Sequence, residues 1–253
     1  MTDTPSPNTL ADLKPGNHLC CLYETEEEHR AVLTLFLRQG LEQDEKMLCI
    51  VDSISATALG DHRSTPSRPS LPRARVPRDE QRQGGLVGGS TARGSADAAE
   101  RVRQGALDVV SAETVLNYLR KDGLEVEPYL ASGQLAFRTQ EETYMRKGVF
   151  DPGSMIALLR AETEQALKEG YSALRVSDEM IWMSRRLPGF ERLVEYEARL
   201  KDFLLGTQCL VLYRYDRRRF DAEILLDVLR AHPVAMVGTE IYDNPYYIPP
   251  AEC

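Results

Sequence analysis

The sequence has no run of about 18 or more consecutive apolar residues, the minimum for a helix that crosses a bilayer, so no membrane-spanning helix is expected. Its amino terminus, MTDTPSPNTLADLKPGN, lacks the basic start and apolar centre of a secretory signal, and the expected location is the cytoplasm. Positive charge is also in short supply: Lys and Arg number 31 against 39 Asp and Glu, for a formal net charge of -8. That balance argues against a general affinity for nucleic acid or for an anionic membrane. The cysteines (Cys20, Cys21, Cys49, Cys209 and Cys253) are odd in number and lack paired metal-finger spacing. A disulfide framework is therefore not expected, and they read as reduced thiols in strands. Histidine is scarce as well, with His18, His29, His62 and His232 the only ones, and no catalytic dyad or triad can be assembled from them.

What is present is the makeup of a soluble globular chain, 42% hydrophobic and 28% charged over 253 residues. LCCLY at 19–23 is a short apolar run, and EHRAVLTLFLRQGL at 28–41 repeats apolar residues at helical spacing. KMLCIVD at 46–52 is a continuous apolar run ending in an acid, the mark of a strand buried on both faces. The first three elements thus read strand, helix, strand. Further on, SAETVLNYLR predicts a helix capped by Ser111 and stopped near Gly123, and QLAFRT at 134–139 a third strand. Asp151 and Pro152 open a long helix that ends near Gly170, followed by a strand in ALRVSDEM. A helix over 189–204, a buried strand at 208–216, a helix in AEILLDVLRAH and a terminal hairpin complete the chain. The hairpin turn is expected at Asp243-Asn244-Pro245. Alternating strands and helices predict an α/β fold, a mostly parallel sheet flanked by helices.

Between the second strand and the Ser111 helix, residues 53–107 are dominated by proline, glycine, serine and arginine and contain no aromatic residue. Such a segment cannot bury enough apolar surface to offset the entropy of ordering, and it is expected to be a disordered insertion. Its arginines, among them Arg63, Arg68, Arg73, Arg75, Arg78 and Arg82, could serve an acidic partner or RNA, although a plain linker is the preferred reading. The motif DSISAT at 52–57 is echoed by DVVSAET at 108–114, as if the insertion interrupts one strand-to-helix junction.

Several segments resemble the MEDS family, a sensory domain of methanogens, methylotrophs and a dichloromethane-responsive regulator. They are GNHLCCLYETEEEHRAV, DGLEVEPYLASGQLAF, EETYMRKGVFDPGSMIALL, EGYSALRVSDEMIW, LVEYEARL and YDRRRFDAEILLDVLRAHP. The resemblance covers nearly everything from residue 13 to 250 except the insertion. It implies a RecA/KaiC-like core whose nucleotide-binding loop has degenerated, used as a sensor beside kinase or transcriptional output modules. The chain departs from the family pattern in the insertion, and at Asp178 and Tyr213, where a small residue, often a cysteine, is expected.

The junction HLCCLYETEEEHR stands where a phosphate-binding loop would lie, yet it offers Glu24, Thr25, Glu26, Glu27 and Glu28 in place of glycines and a lysine. Thr25 followed by Glu28 is a helix capping box, and acids at a helix start complement its dipole while repelling a triphosphate. On the strand before it, His18 and Cys20 share one face and Cys21 takes the other, so at most two can act together without help, for instance from Cys49. Packing is the preferred reading and no metal or other cofactor is assigned. The ends of strands collect Tyr23, Glu24, Asp52, Asp178, Glu179, Tyr213, Tyr215 and Asp216, with Trp182 nearby. In open α/β sheets ligands bind outside the carboxyl ends of strands, so these residues, with His18 and Cys20, form the candidate ligand site. Glu179 could bind the ligand or Arg175. Arg217-Arg218-Arg219 reads as a solvated turn.

The leading expectation is a noncatalytic sensory domain that binds a small ligand or a partner protein and signals to a separate histidine kinase or transcription regulator. The alternatives are a nucleotide-binding protein or ATPase with a noncanonical site, and a protein-interaction scaffold.

Overall fold

Apolar runs buried on both faces make the strands of one seven-stranded sheet, seen in a computed structural model that describes residues 9–52, 110–146, 148–185 and 188–248. The segment 53–107 and Cys253 lie outside the described residues. In chain order the elements are β1 (His18–Tyr23), α1 (Glu26–Glu42), β2 (Lys46–Val51), α2 (Ala112–Lys121), α3 (Glu127–Ala131), β3 (Leu135–Thr139) and α4 (Pro152–Lys168). There follow β4 (Leu174–Glu179), a 3-10 turn (Met180–Arg185), α5 (Leu193–Leu204), β5 (Cys209–Asp216), α6 (Ala222–Ala231), β6 (Val234–Val237) and β7 (Glu240–Asp243). The strand order is β3-β2-β4-β5-β1-β6-β7, parallel throughout except for the antiparallel β6–β7 pair.

Local chemistry fixes the helix starts. Thr25 accepts from the Glu28 amide at 3.1 Å while the Glu28 carboxylate takes the amides of Glu24 (2.7 Å) and Thr25 (3.2 Å), a complete capping box for α1. Ser111 and Asp151 cap α2 and α4 by accepting from Thr114 and Ser154. Two hydrogen bonds close the chain across the insertion: the Asp52 amide donates to the Val110 carbonyl (2.9 Å) and the Val110 amide to Asp52 Oδ2 (3.1 Å). The strand-to-helix junction is thus joined in space although Asp52 and Val110 are 58 positions apart in the sequence.

The hairpin is present, but its turn is not where the sequence suggested. Val237 pairs with Glu240, which puts the turn at Gly238, whose φ of 59° lies in the left-handed region that glycine enters without a steric penalty. Asn244 has another task, donating its side-chain amide to the His232 carbonyl at 2.8 Å and to the Leu229 carbonyl. The helix expected at 189–204 begins as a 3-10 turn (Phe190–Arg192), and the regular helix starts at Leu193.

Alternation along the strands divides the core in two. Leu19, Cys21, Met47, Cys49, Leu210 and Leu212 pack under α1 and α2, against Val32, Leu33, Phe36, Leu37, Val115 and Leu119. Cys20, Leu48, Ile50, Val176, Val211 and Tyr213 pack under α4 and α5, against Met155, Leu159, Tyr196 and Leu200. Each fully buried aliphatic side chain here contributes about 1.5–3 kcal/mol of transfer free energy.

Candidate functional site

The parallel register fixes which polar residues meet. Asp178 lies beside Tyr213, and Tyr213 beside Cys20, in one row across β4, β5 and β1. Glu179 lies beside Arg214, and Arg214 beside Cys21, in the next row, which faces the other way. Residues expected to line one ligand site are therefore divided by the sheet into two polar groups.

On the α1/α2 side, Glu179 is the hub. The Tyr23 hydroxyl donates to Glu179 Oε1 at 3.0 Å, and the Tyr23 ring stacks on His29 with centroids 4.5 Å apart. Arg214, fully buried, donates through Nη1 to His29 Nε2, so that nitrogen is the acceptor and the imidazole is neutral. Burial moves His29 the same way, below its ordinary pKa. Because His29 Nε2 already accepts, it has no proton for Glu179 Oε2, which lies 3.4 Å from it and 3.6 Å from Arg214 Nη1. Glu179 Oε2, Arg214 Nε and Arg214 Nη2 are buried without a hydrogen-bond partner among the described residues. Tyr118 of α2 stands edge-on to His29 and reaches Glu26 with its hydroxyl at 3.4 Å, closing the group from solvent.

The other acids at the strand ends are occupied locally. Asp52 accepts from Gln140 Nε2 at 2.8 Å as well as from Val110. Asp216 binds the Arg218 amide (3.0 Å) and the Arg218 and Arg219 guanidinium groups, and Glu24 pairs with Arg217. The arginine triplet is thus a turn neutralised by its neighbours. Arg175 is fully buried four residues before Glu179 on β4, two pleat repeats away, where it pairs with Glu45 and donates to the Phe36 carbonyl, so the alternative of a Glu179–Arg175 link does not form.

On the α4/α5 side the surroundings are aromatic. Tyr144 donates to Asp178 Oδ2, and Trp182 packs against Tyr144 and Phe150 with centroids 4.7 and 5.2 Å apart. The Tyr196 and Tyr213 hydroxyls share a hydrogen bond, and Tyr215 packs against Phe220. Burial raises Asp178 well above the usual carboxylate range despite the Tyr144 hydrogen bond. His18 sits at the amino end of β1, away from the carboxyl edge, with its Nε2 3.5 Å from Glu197 Oε2 and its ring 4.2 Å from that of His232. Burial lowers His18 and takes His232 to about 4, while the same burial pushes Glu197 up to about 8.

Cys20 shares this face, and its thiol lies 3.9 Å from the Val234 carbonyl. Cys49 does not join it: β4 and β5 stand between β2 and β1, and Cys49 points to the opposite face. Burial pushes the Cys21, Cys49 and Cys209 thiols up to about 12, which leaves them protonated and suits packing.

A family model matches residues 91–233, that of the methanogen/methylotroph, DcmR sensory domain, abbreviated MEDS. It spans more than half of the chain. The chain belongs to the MEDS family. No curated protein matches it. MEDS is a sensory family, and among the described residues no helix is long and apolar enough to cross a membrane. The match begins after β2, yet β1 and α1 supply His18, Tyr23 and His29 to the two polar groups of this MEDS chain.

Several members of these groups escaped the sequence reading. His29 continues the stripe of Leu33, Phe36 and Gly40 at helical spacing, and Glu197 lies between Tyr196 and Leu200 on the buried stripe of α5, so both carried a signal. Arg214 interrupts the apolar run of β5, where a buried cation needs a partner. Tyr144 and Phe150 lie outside regular elements and carried no periodic signal.

Proposed function

We propose that this MEDS chain is a noncatalytic sensory domain of the cytoplasm, one unit over residues 13–250. It binds a small ligand at the carboxyl ends of β1, β4 and β5 and passes the change to a separate histidine kinase or transcription regulator. The observation that carries this reading is the buried Arg214, whose Nε and Nη2 lack an acceptor beside a Glu179 oxygen that lacks a donor. An unmade hydrogen bond of this kind costs about 1–3 kcal/mol. A small polar guest that accepts from the guanidinium and donates to the carboxylate offsets that cost. Tyr23 and His29 supply a flat aromatic wall for its apolar part.

The guest enters where Tyr118 meets Glu26, and displacing that contact shifts the start of α1 against the second half of α2, the movement a partner protein would read. The capping box of α1 supports a noncatalytic role, since Glu26, Glu27 and Glu28 crowd the place where phosphates would bind. The same junction supports a RecA/KaiC-like origin with a degenerate phosphate loop.

The test is a melting-temperature screen of the full chain with small amides, ureas and one- and two-carbon halogenated compounds. A saturable rise is expected, since binding to the native state alone stabilises it. That rise should vanish in Tyr23→Phe and Arg214→Lys and persist in Tyr213→Phe. A saturable shift with magnesium-ATP accompanied by phosphate release overturns the proposal in favour of an ATPase. No shift with any probe overturns it in favour of a scaffold.

A further inference from the structure

The α4/α5 side of the sheet holds a cluster that the ligand reading does not use. His18, Glu197 and His232 each place one ligand atom within 4.8 Å of those of the other two. His18 Nε2, Glu197 Oε2 and His232 Nε2 are buried and are the atoms left without a hydrogen-bond partner among the described residues. They come from the start of β1, from α5 and from the residue after α6, and are brought together because β6 pairs with β1, Val234 beside Leu19.

The tautomer of His232 is fixed by its other nitrogen. Nδ1 lies 2.7 Å from the Val228 carbonyl, which can only accept, so Nδ1 carries the proton and the lone pair is on Nε2, the atom that meets His18 and Glu197. A backbone acceptor on the far nitrogen is also how metal-bound imidazoles are oriented. Tyr213 holds both rings edge-on, with centroids 5.2 Å from His18 and 5.9 Å from His232. The 3.5 Å between His18 Nε2 and Glu197 Oε2 matches the roughly 3.4 Å between two ligands of a tetrahedral ion with bonds of about 2.0–2.1 Å.

We propose that His18, Glu197 and His232 bind one divalent transition-metal ion of the zinc class. Two imidazoles and one carboxylate suit zinc, cobalt or iron(II) and not magnesium or calcium, which take oxygen ligands. Three protein donors leave a fourth position for water or a small donor molecule, unlike the closed four-ligand set of a structural site. The ion would tie β1, α5 and the α6–β6 junction together. Cysteine takes no part, which separates this site from the His18–Cys20 pairing that strand alternation alone suggests.

The full chain, stripped with a chelator, is titrated with zinc chloride by calorimetry and with cobalt(II) by visible absorption. One equivalent of zinc, a raised melting temperature and cobalt ligand-field bands without a thiolate charge-transfer band are expected. Glu197→Gln and His232→Gln preserve side-chain bulk or polarity while removing a donor, and each should weaken zinc at least about 10-fold. Cys20→Ser should leave the affinity unchanged. Absence of stoichiometric binding, a thiolate band, or wild-type affinity in both variants overturns the site. If neither variant folds, the wild-type cobalt spectrum decides by itself. Tyr23→Phe, which abolishes the ligand shift, should bind zinc normally, so the two proposals fail separately.

Discussion

Adjacent residues on β4 and β5 live in opposite electrostatic worlds. Glu179 and Arg214 look towards α1 and α2, where a buried guanidinium, a carboxylate and a neutral imidazole answer one another. Asp178 and Tyr213, one residue earlier on each strand, look towards α4 and α5, into tyrosines and a tryptophan. Both faces are buried, yet one sets an opposite charge beside its carboxyl group and the other sets aromatic rings there. A charge stays in a low-dielectric interior where an opposite charge shares it, and elsewhere the group takes up a proton.

The largest test of this contrast is Arg214→Ala. It removes the one cation of its group among the described residues and leaves Glu179 buried beside Tyr23, and it should cost about 3–5 kcal/mol in a urea unfolding curve. On the same strand, Tyr213→Phe removes one hydroxyl from the aromatic face and breaks its hydrogen bond with Tyr196. That loss should be about 1 kcal/mol. Equal effects from the two variants would mean that the faces differ in shape only.

Asp178→Asn should act with the opposite sign. Burial raises the folded pKa of Asp178 above its ordinary 3.8. Below that ordinary value both folded and unfolded chains are protonated and the residue makes no difference to pH dependence. As the pH rises past it, the unfolded chain ionises first, so wild-type stability falls until the folded group ionises too. Asparagine carries no such penalty and still accepts from Tyr144 through its amide oxygen. Unfolding midpoints should therefore coincide near pH 3 and favour the variant at pH 7, by on the order of 1 kcal/mol. A variant less stable than wild type at pH 7 would show that Asp178 is ionised in the fold.

The sequence was most legible where interactions are local. The Thr25–Glu28 box, the Ser111 and Asp151 caps and the apolar runs of β1, β2 and β5 need only neighbours a few residues away, and each stands where its chemistry placed it. The hairpin turn was misjudged because two local signals competed. Gly238 took the turn, while Asn244 found carbonyl partners 12 and 15 residues back, at His232 and Leu229.

For the candidate site, the sequence by itself determined the chemistry on offer. It set acids and aromatics near the strand ends, a helix cap in place of a phosphate cradle, and the alternation that puts His18 with Cys20 and apart from Cys21. Only the tertiary structure decided who meets whom. Strand order keeps Cys49 from His18, the β4–β5 register sets Glu179 beside Arg214, and β1–β6 pairing brings His232 to His18. The physical reason is that side-chain direction follows from a period of two along the chain, whereas strand adjacency arises from the joint burial of both sheet faces, which no short stretch encodes.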